Sequence, residues 1–319
     1  MRTKVYNSPM GKIFVIGGAN IDLQGSVKDE IIMHDSNIGR VSYSFGGVAR
    51  NIAENLCLLG EDVSFCSIFG NDSFGKDMFS YCRAVGMDLS YSKTVEANSS
   101  MYLAVMDKDN DMVLGINDMR LLENLDNSTL SKVLDSAGKD DIILLDTNLN
   151  EEQLGYCFNK AKAPVYVDPI SINKAGRIKN YLSRIELLKP NAYEAGYLSG
   201  IPCDTKENIK KNLEYFLDQG VKKIVISLGK EGFAFGEKGN LKKIAYKEVE
   251  MKNATGAGDS FLAGLVSRLN RKESLEEACK FASGCSVLTI LSVFTVSENM
   301  SEENVKEIVK NTEFNIEVL

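Results

Sequence analysis

The order of apolar runs along these 319 residues predicts an α/β fold: a doubly wound, mostly parallel central sheet flanked by helices, with a small β-strand lid. Three observations carry this. Short, continuously apolar, β-rich runs alternate with segments whose apolar residues recur at helical spacing. Polar residues stand at the ends of successive runs, where open sheets of this class face their ligands. Two β-rich runs, residues 99–106 and 112–116, are joined by Asp107-Lys108-Asp109-Asn110-Asp111, a hairpin signal outside that alternation.

Residues 12–16 read as the first buried strand, ending in Gly17-Gly18 and the polar stretch Ala19-Asn20-Ile21-Asp22. Residues 23–45 are polar and irregular, with alternation only in Arg40-Val41-Ser42-Tyr43-Ser44. Gly46-Gly47 then opens a helix with Val48, Ile52, Leu56 and Leu59 on one face and Gly60 as its stop. Arg50 and Asn51, early in that helix, read as solvated surface residues or, for Asn51, as a ligand contact behind the glycine entrance. A strand at residues 63–68, the turn Gly70-Asn71-Asp72 and a helix through Arg83 follow. The lid is expected from about residues 23–45 and 98–118, closed by Asn117-Asp118-Met119.

Beyond Leu125, strand and helix repeat. Strands are expected at residues 141–145, ending in Asp146-Thr147-Asn148, at 165–167, ending in Asp168-Pro169, and at 185–188, ending in Lys189-Pro190-Asn191. Asn191 and Glu194 are three apart at a helix start, which suits either a capping box or an outer-shell Mg2+ site beside phosphates. A helix at 205–219 and a strand at 223–227 lead to Leu228-Gly229-Lys230-Glu231-Gly232, a turn with room for a nucleotide. A hairpin at 233–246 and helices at 275–293 and 302–310 complete the pattern. No repeat or linker divides the chain, so one domain over 1–319 is expected.

Composition removes several function classes. A net charge of −7 argues against a nucleic-acid or anionic-membrane partner. No apolar run reaches membrane-span length, and the first residues lack a secretory apolar core. The seven cysteines include no close pair, which points to reduced thiols and a cytoplasmic setting. His34 is the only histidine, so a His-rich metal site is excluded and a Ser-His-Asp triad would depend on that residue alone. The glycines after the first strand do not spell G-x-G-x-x-G, which weakens a dinucleotide-binding reading.

One stretch carries the chemistry. Asn253-Ala254-Thr255-Gly256-Ala257-Gly258-Asp259 runs into a segment with Phe261, Leu262, Leu265, Val266 and Leu269 at helical spacing. Glycines at a helix start let backbone N–H groups approach an anion, and the helix dipole adds positive potential there. A carboxylate in such a site is explained if Asp259 takes the proton of a hydroxyl attacking a phosphoryl group. The N–H groups of Gly256, Ala257 and Gly258 would then meet the developing negative charge.

Four segments in this order, Gly46-Gly47-x-x-x-Asn51-x-Ala53, Asn191-x-x-Glu194, Ser227-Leu228-Gly229-x-x-Gly232 and Thr255-Gly256-Ala257-Gly258-Asp259, resemble the PfkB, or ribokinase-like, carbohydrate kinases over nearly the whole chain. The resemblance implies ATP-dependent phosphorylation of a sugar or nucleoside hydroxyl, with Asp259 as base and the Gly256–Gly258 backbone as anion hole. It assigns Asn20, Asp22, Gly46, Gly47 and Asn51 to the ribosyl part of the acceptor. Asn191 and Glu194 would order Mg2+, and Ser227, Gly229, Gly232 and Thr255 would line the ATP site. Asn117 and Asp118, with Asp35 and Ser36, are lid candidates for reading the rest of a nucleoside. K+ or another monovalent cation stays open, because Asn253 stands where an acidic residue is common in the family. Exposed lid strands also lead to the expectation of a homodimer through the lid.

Overall fold

The computed structural model describes residues 10–246 and 255–319. Its main sheet has nine strands, in the order Phe314–Val318, Asn240–Tyr246, Phe233–Glu237, Lys223–Ser227, Leu187–Leu188, Val165–Asp168, Ile142–Asp146, Ile13–Ile16 and Val63–Cys66. Pairing is parallel from Val63–Cys66 across to Lys223–Ser227 and antiparallel for the remaining three strands. This is the expected ribokinase-like sheet, mostly parallel and flanked by helices.

The central strands are continuously apolar because both their faces are covered. Phe14, Ile16, Ile143, Leu145, Val165 and Val167 pack on one side with the helices Asn127–Ser136, Glu151–Lys160 and Lys206–Asp218. Ile13, Val15, Ile142, Leu144 and Tyr166 pack on the other with Val48–Leu58, Ala257–Asn270 and Leu275–Ile290. Side chains capping the helix starts include Asp72, Asp126, Asn150, Thr205, Ser274 and Ser301, each accepting a backbone N–H three residues on.

A second sheet of four strands has the order Gly39–Gly46, Asn20–Val27, Met101–Met106 and Met112–Asp118. Here the sequence reading needs correcting. Asn20 to Asp22, expected only as polar groups at a strand end, is itself strand, and 23–45, expected as part of the β lid, is largely a hairpin paired from Asn20↔Gly46 to Val27↔Gly39. Its polar residues share one face, and residues 28–38, which carry no strand, give the segment its irregular look. Cross-strand partners project to the same side, so Asp22, Ser44, Tyr102 and Asn117 form a row on that face. The opposite face carries Val41, Tyr43, Leu114 and Ile116, all more than half exposed.

Three other strands were not expected. Ile68–Gly70 pairs with Lys93–Val95, and Phe314–Val318 closes the edge of the main sheet against Asn240–Tyr246. None of the seven cysteines is in a disulfide, and burial pushes the Cys66 and Cys82 thiols up to about 12. Among the described residues no helix is long and apolar enough to cross a membrane.

Candidate active site

Asp259 sits in the first turn of Ala257–Asn270, with Gly256 as the N-cap at φ +81°. That conformation favours glycine, and a Cβ added at Gly256 would lie 2.0 Å from the Thr295 carbonyl oxygen. Gly256→Ala is therefore expected to cost about 1–3 kcal/mol of backbone strain. By displacing the helix start it should also lower kcat about 100-fold or more. Thermal melting alongside steady-state rates checks both effects.

Four charged side chains from different elements converge beside this helix start. Lys189, at the end of Leu187–Leu188, pairs with Asp168, at the end of Val165–Asp168, at 3.1 Å, and both are buried. The Lys189 ammonium lies 3.5 Å from where a Gly258 Cβ would be. Burial alone would lower the Lys189 pKa, but Asp168, Glu194 and Asp259 together raise it above its usual value. Burial, then repulsion from Asp168, pushes Asp259 up to about 7, although an Asn51 hydrogen bond, Lys189 and Arg50 act in the other direction. Burial and Asp168 likewise push Glu194 up to about 7. A carboxyl group poised near neutrality suits a base that must take and release a proton.

Asn51 Nδ2 donates to Asp259 Oδ2 at 2.7 Å, which joins the glycine-opened helix Val48–Leu58 to the start of Ala257–Asn270. Gly47 caps that helix at φ +102°, and a Cβ there would lie 2.5 Å from the Gly18 carbonyl. Gly46 abuts Asp22, whose carboxylate would stand 2.2 Å from an added Cβ. Asn20 Nδ2 donates to Asp22 Oδ1 at 2.6 Å, and burial holds the Asp22 pKa above its ordinary value. Asn20, Asp22, Gly46, Gly47 and Asn51 are thus contiguous. Arg50 is buried, contrary to the solvated reading, because carbonyl oxygens and Glu54 surround its guanidinium.

Asn191 and Glu194 form a complete capping box on Ala192–Ser199. The Asn191 N–H and Nδ2 occupy the two Glu194 oxygens at 2.9 and 2.7 Å. Asn191 also forms a parallel bridge to Ser227, the last residue of Lys223–Ser227. Beyond Ser227, Gly229 and Gly232 both have positive φ, and a Cβ on Gly232 would lie 2.1 Å from the Ile244 carbonyl oxygen. Among the described residues no group of three or more His, Cys, Asp or Glu side chains is arranged to hold a metal ion. Glu194 and Asn191 offer one buried carboxylate and one amide, a hard-oxygen donor set of the kind Mg2+ uses when it keeps several of its waters.

The lid candidates divide. Asn117 shares the polar face with Asp22, whereas Asp118 pairs with Met101 on the opposite face and is held by Arg120 at 2.6 Å. Asp35 accepts the Ser36 N–H at 2.7 Å in an exposed turn. Asn253 and Ala254, and with them the cation expectation, lie outside the described residues. The roles of Lys189, Asp168 and Asp146 went unassigned in the sequence, where each was only a polar strand end. Asp146 is buried and accepts the N–H groups of Gly18 and Ala49 at 3.1 and 3.0 Å, tying the first strand to the helix at Gly47.

Comparison with known proteins gives the family. The model of the pfkB family of carbohydrate kinases matches residues 10–301. A pseudouridine kinase of Escherichia coli K12 is 33% identical over 98% of this chain and 99% of its own length. A guanosine-inosine kinase of Exiguobacterium acetylicum is 26% identical over 89% and 95%. The ribokinase of Thermotoga maritima shares the fold, with a TM-score of 0.79 at 22% identity over 94% of this chain and 99% of that one. With a family match over most of its length and a glycine-opened helix start that carries a half-buried carboxyl group, the chain belongs to the pfkB family and is an ATP-dependent kinase.

Proposed function

We propose that this kinase transfers the γ-phosphate of ATP to the 5′-hydroxyl of pseudouridine, giving pseudouridine 5′-phosphate and ADP. The geometry supporting the chemistry is the Asn51–Asp259 hydrogen bond at the start of Ala257–Asn270. The choice of acceptor rests on the end-to-end likeness to the E. coli pseudouridine kinase.

In this reading Asp259 accepts the hydroxyl proton as the oxygen attacks the γ-phosphorus, and the bond from that phosphorus to the bridging oxygen of ADP breaks. The Gly256, Ala257 and Gly258 N–H groups and the Lys189 ammonium stabilise charge on the transferred group. Asn20 and Asp22, with the backbone at Gly46 and Gly47, hold the ribosyl part. Ser227, Gly229, Gly232 and Thr255 line the ATP site. Glu194, with Asn191, would hold Mg2+ through its waters, and the ion supplies charge neutralisation at the phosphates. The four-stranded sheet acts as a lid whose polar row, with Asn117, faces the nucleoside and excludes water. Incubation with Mg2+-ATP and a panel of nucleosides and ribose, read by mass spectrometry, tests the acceptor.

The outer apolar face of the lid, with Val41, Tyr43, Leu114 and Ile116, supports a homodimer in which two lids cover each other. The double variant Val41→Lys/Leu114→Lys is expected to sediment as a monomer where the unaltered enzyme sediments as a dimer. A monomeric unaltered enzyme at micromolar concentration would exclude the arrangement.

A further inference from the structure

Arg50 lies between the lid and the base. It is only 2% exposed. Its Nε donates to the Gly46 carbonyl at 3.0 Å and Nη2 to the Phe45 carbonyl at 2.8 Å, the last two residues of Gly39–Gly46. Nη2 also donates to Asn51 Oδ1, while Nη1 pairs with Glu54 Oε2. The other Glu54 oxygen accepts the Tyr81 hydroxyl, and the Tyr81 ring packs on Phe45 with centroids 5.3 Å apart.

A guanidinium has five N–H donors and no acceptor. Only the oxygen of the Asn51 amide can face it, so Nδ2 is left facing Asp259, where it donates at 2.7 Å. A flipped amide would set N–H against N–H at Arg50 and oxygen against oxygen at Asp259. We propose that Arg50 is a positioning residue for phosphoryl transfer, fixing the Asn51 amide and through it the Asp259 carboxylate in register with the end of the lid strand. Displacement of Phe45 and Gly46 moves the carbonyls that hold the guanidinium, so the position of the lid strand is felt at the base. The inference rests on Asp259 being the base and not on which nucleoside is phosphorylated.

The charged groups facing Asp259 are Asp168 and Lys189 from the strand ends and Arg50 from the helix. Removing Arg50 therefore weakens the forces that keep Asp259 ionised, whereas neutralising Glu54 leaves the Arg50 charge less compensated. The test uses Arg50→Met and Glu54→Gln in the ligand-free full chain. The Asp259 carboxyl is titrated by 13C NMR, with its resonance assigned by its absence in Asp259→Asn. The Asp259 midpoint is expected to rise by about one unit in Arg50→Met and to fall in Glu54→Gln. With the nucleoside that the unaltered enzyme phosphorylates, kcat of Arg50→Met should drop about 10- to 100-fold while KM for ATP stays constant. A folded Arg50→Met with unaltered midpoint and kcat overturns the proposal, as do shifts of the same sign in both variants. If Arg50→Met does not fold, a midpoint that fails to fall in Glu54→Gln overturns it alone. The titration needs no acceptor, so failure to find pseudouridine 5′-phosphate sinks the choice of acceptor and leaves this test standing.

Discussion

Asp259→Asn is expected to lower phosphoryl transfer by about two to four orders of magnitude while ATP and nucleoside still bind. The amide keeps the shape of the carboxylate and can still contact Asn51, but it cannot take the hydroxyl proton. In the unaltered enzyme the rate should rise with pH through about 7 and level off above it, because the folded Asp259 titrates there and only its ionised form is a base. The same shift has a stability consequence of fixed sign. The folded carboxyl binds its proton more tightly than the unfolded one, with a pKa near 7 against 3.8, so stability falls as pH rises through that window. Above the window the penalty is fully present, and Asn removes it. Asp259→Asn should therefore raise Tm more at about pH 8 than at about pH 5. Near-normal turnover in the variant would remove Asp259 from its role.

Lys189→Met is expected to be the most damaging single change outside the glycine-rich turn. It leaves Asp168, Glu194 and Asp259 without the buried cation among them. Removing one partner of a buried pair costs about 3–5 kcal/mol. Activity should fall as well, because the ammonium next to Gly258 is lost and Asp259 becomes harder to ionise. The double variant Lys189→Met/Asp168→Asn separates the two effects. It should recover much of the stability in denaturant melts and little of the rate. Full recovery of the rate would make Lys189 a purely structural residue.

Local chemistry made much of this legible before the structure. The helix start at Gly256 and the carboxylate of Asp259 in its first turn could be read because both lie in one run of consecutive residues. Asn191 and Glu194 were read with two meanings, and the structure shows the capping box in full. Residue pairs far apart in sequence were not legible. Lys189 and Asp168 were each visible as a polar strand end, but their ion pair depends on two parallel strands lying side by side. Arg50 was misread because a charged residue near a helix start is usually solvated. Its burial depends on carbonyls of the lid strand and on Glu54 one turn later. Asn20–Val27 alternates polar and apolar residues, but the irregular stretch 28–38 separates it from its partner strand, and Phe314–Val318 gains its strand character from pairing with Asn240–Tyr246.

The most direct measurement is product formation by the purified protein with Mg2+-ATP and pseudouridine, uridine, adenosine, inosine or ribose, read by mass spectrometry. A selective pseudouridine 5′-phosphate signal whose rate of formation falls about 100-fold or more in Asp259→Asn is the predicted result. Preferred turnover of another acceptor, or a near-normal rate in Asp259→Asn, would contradict the account.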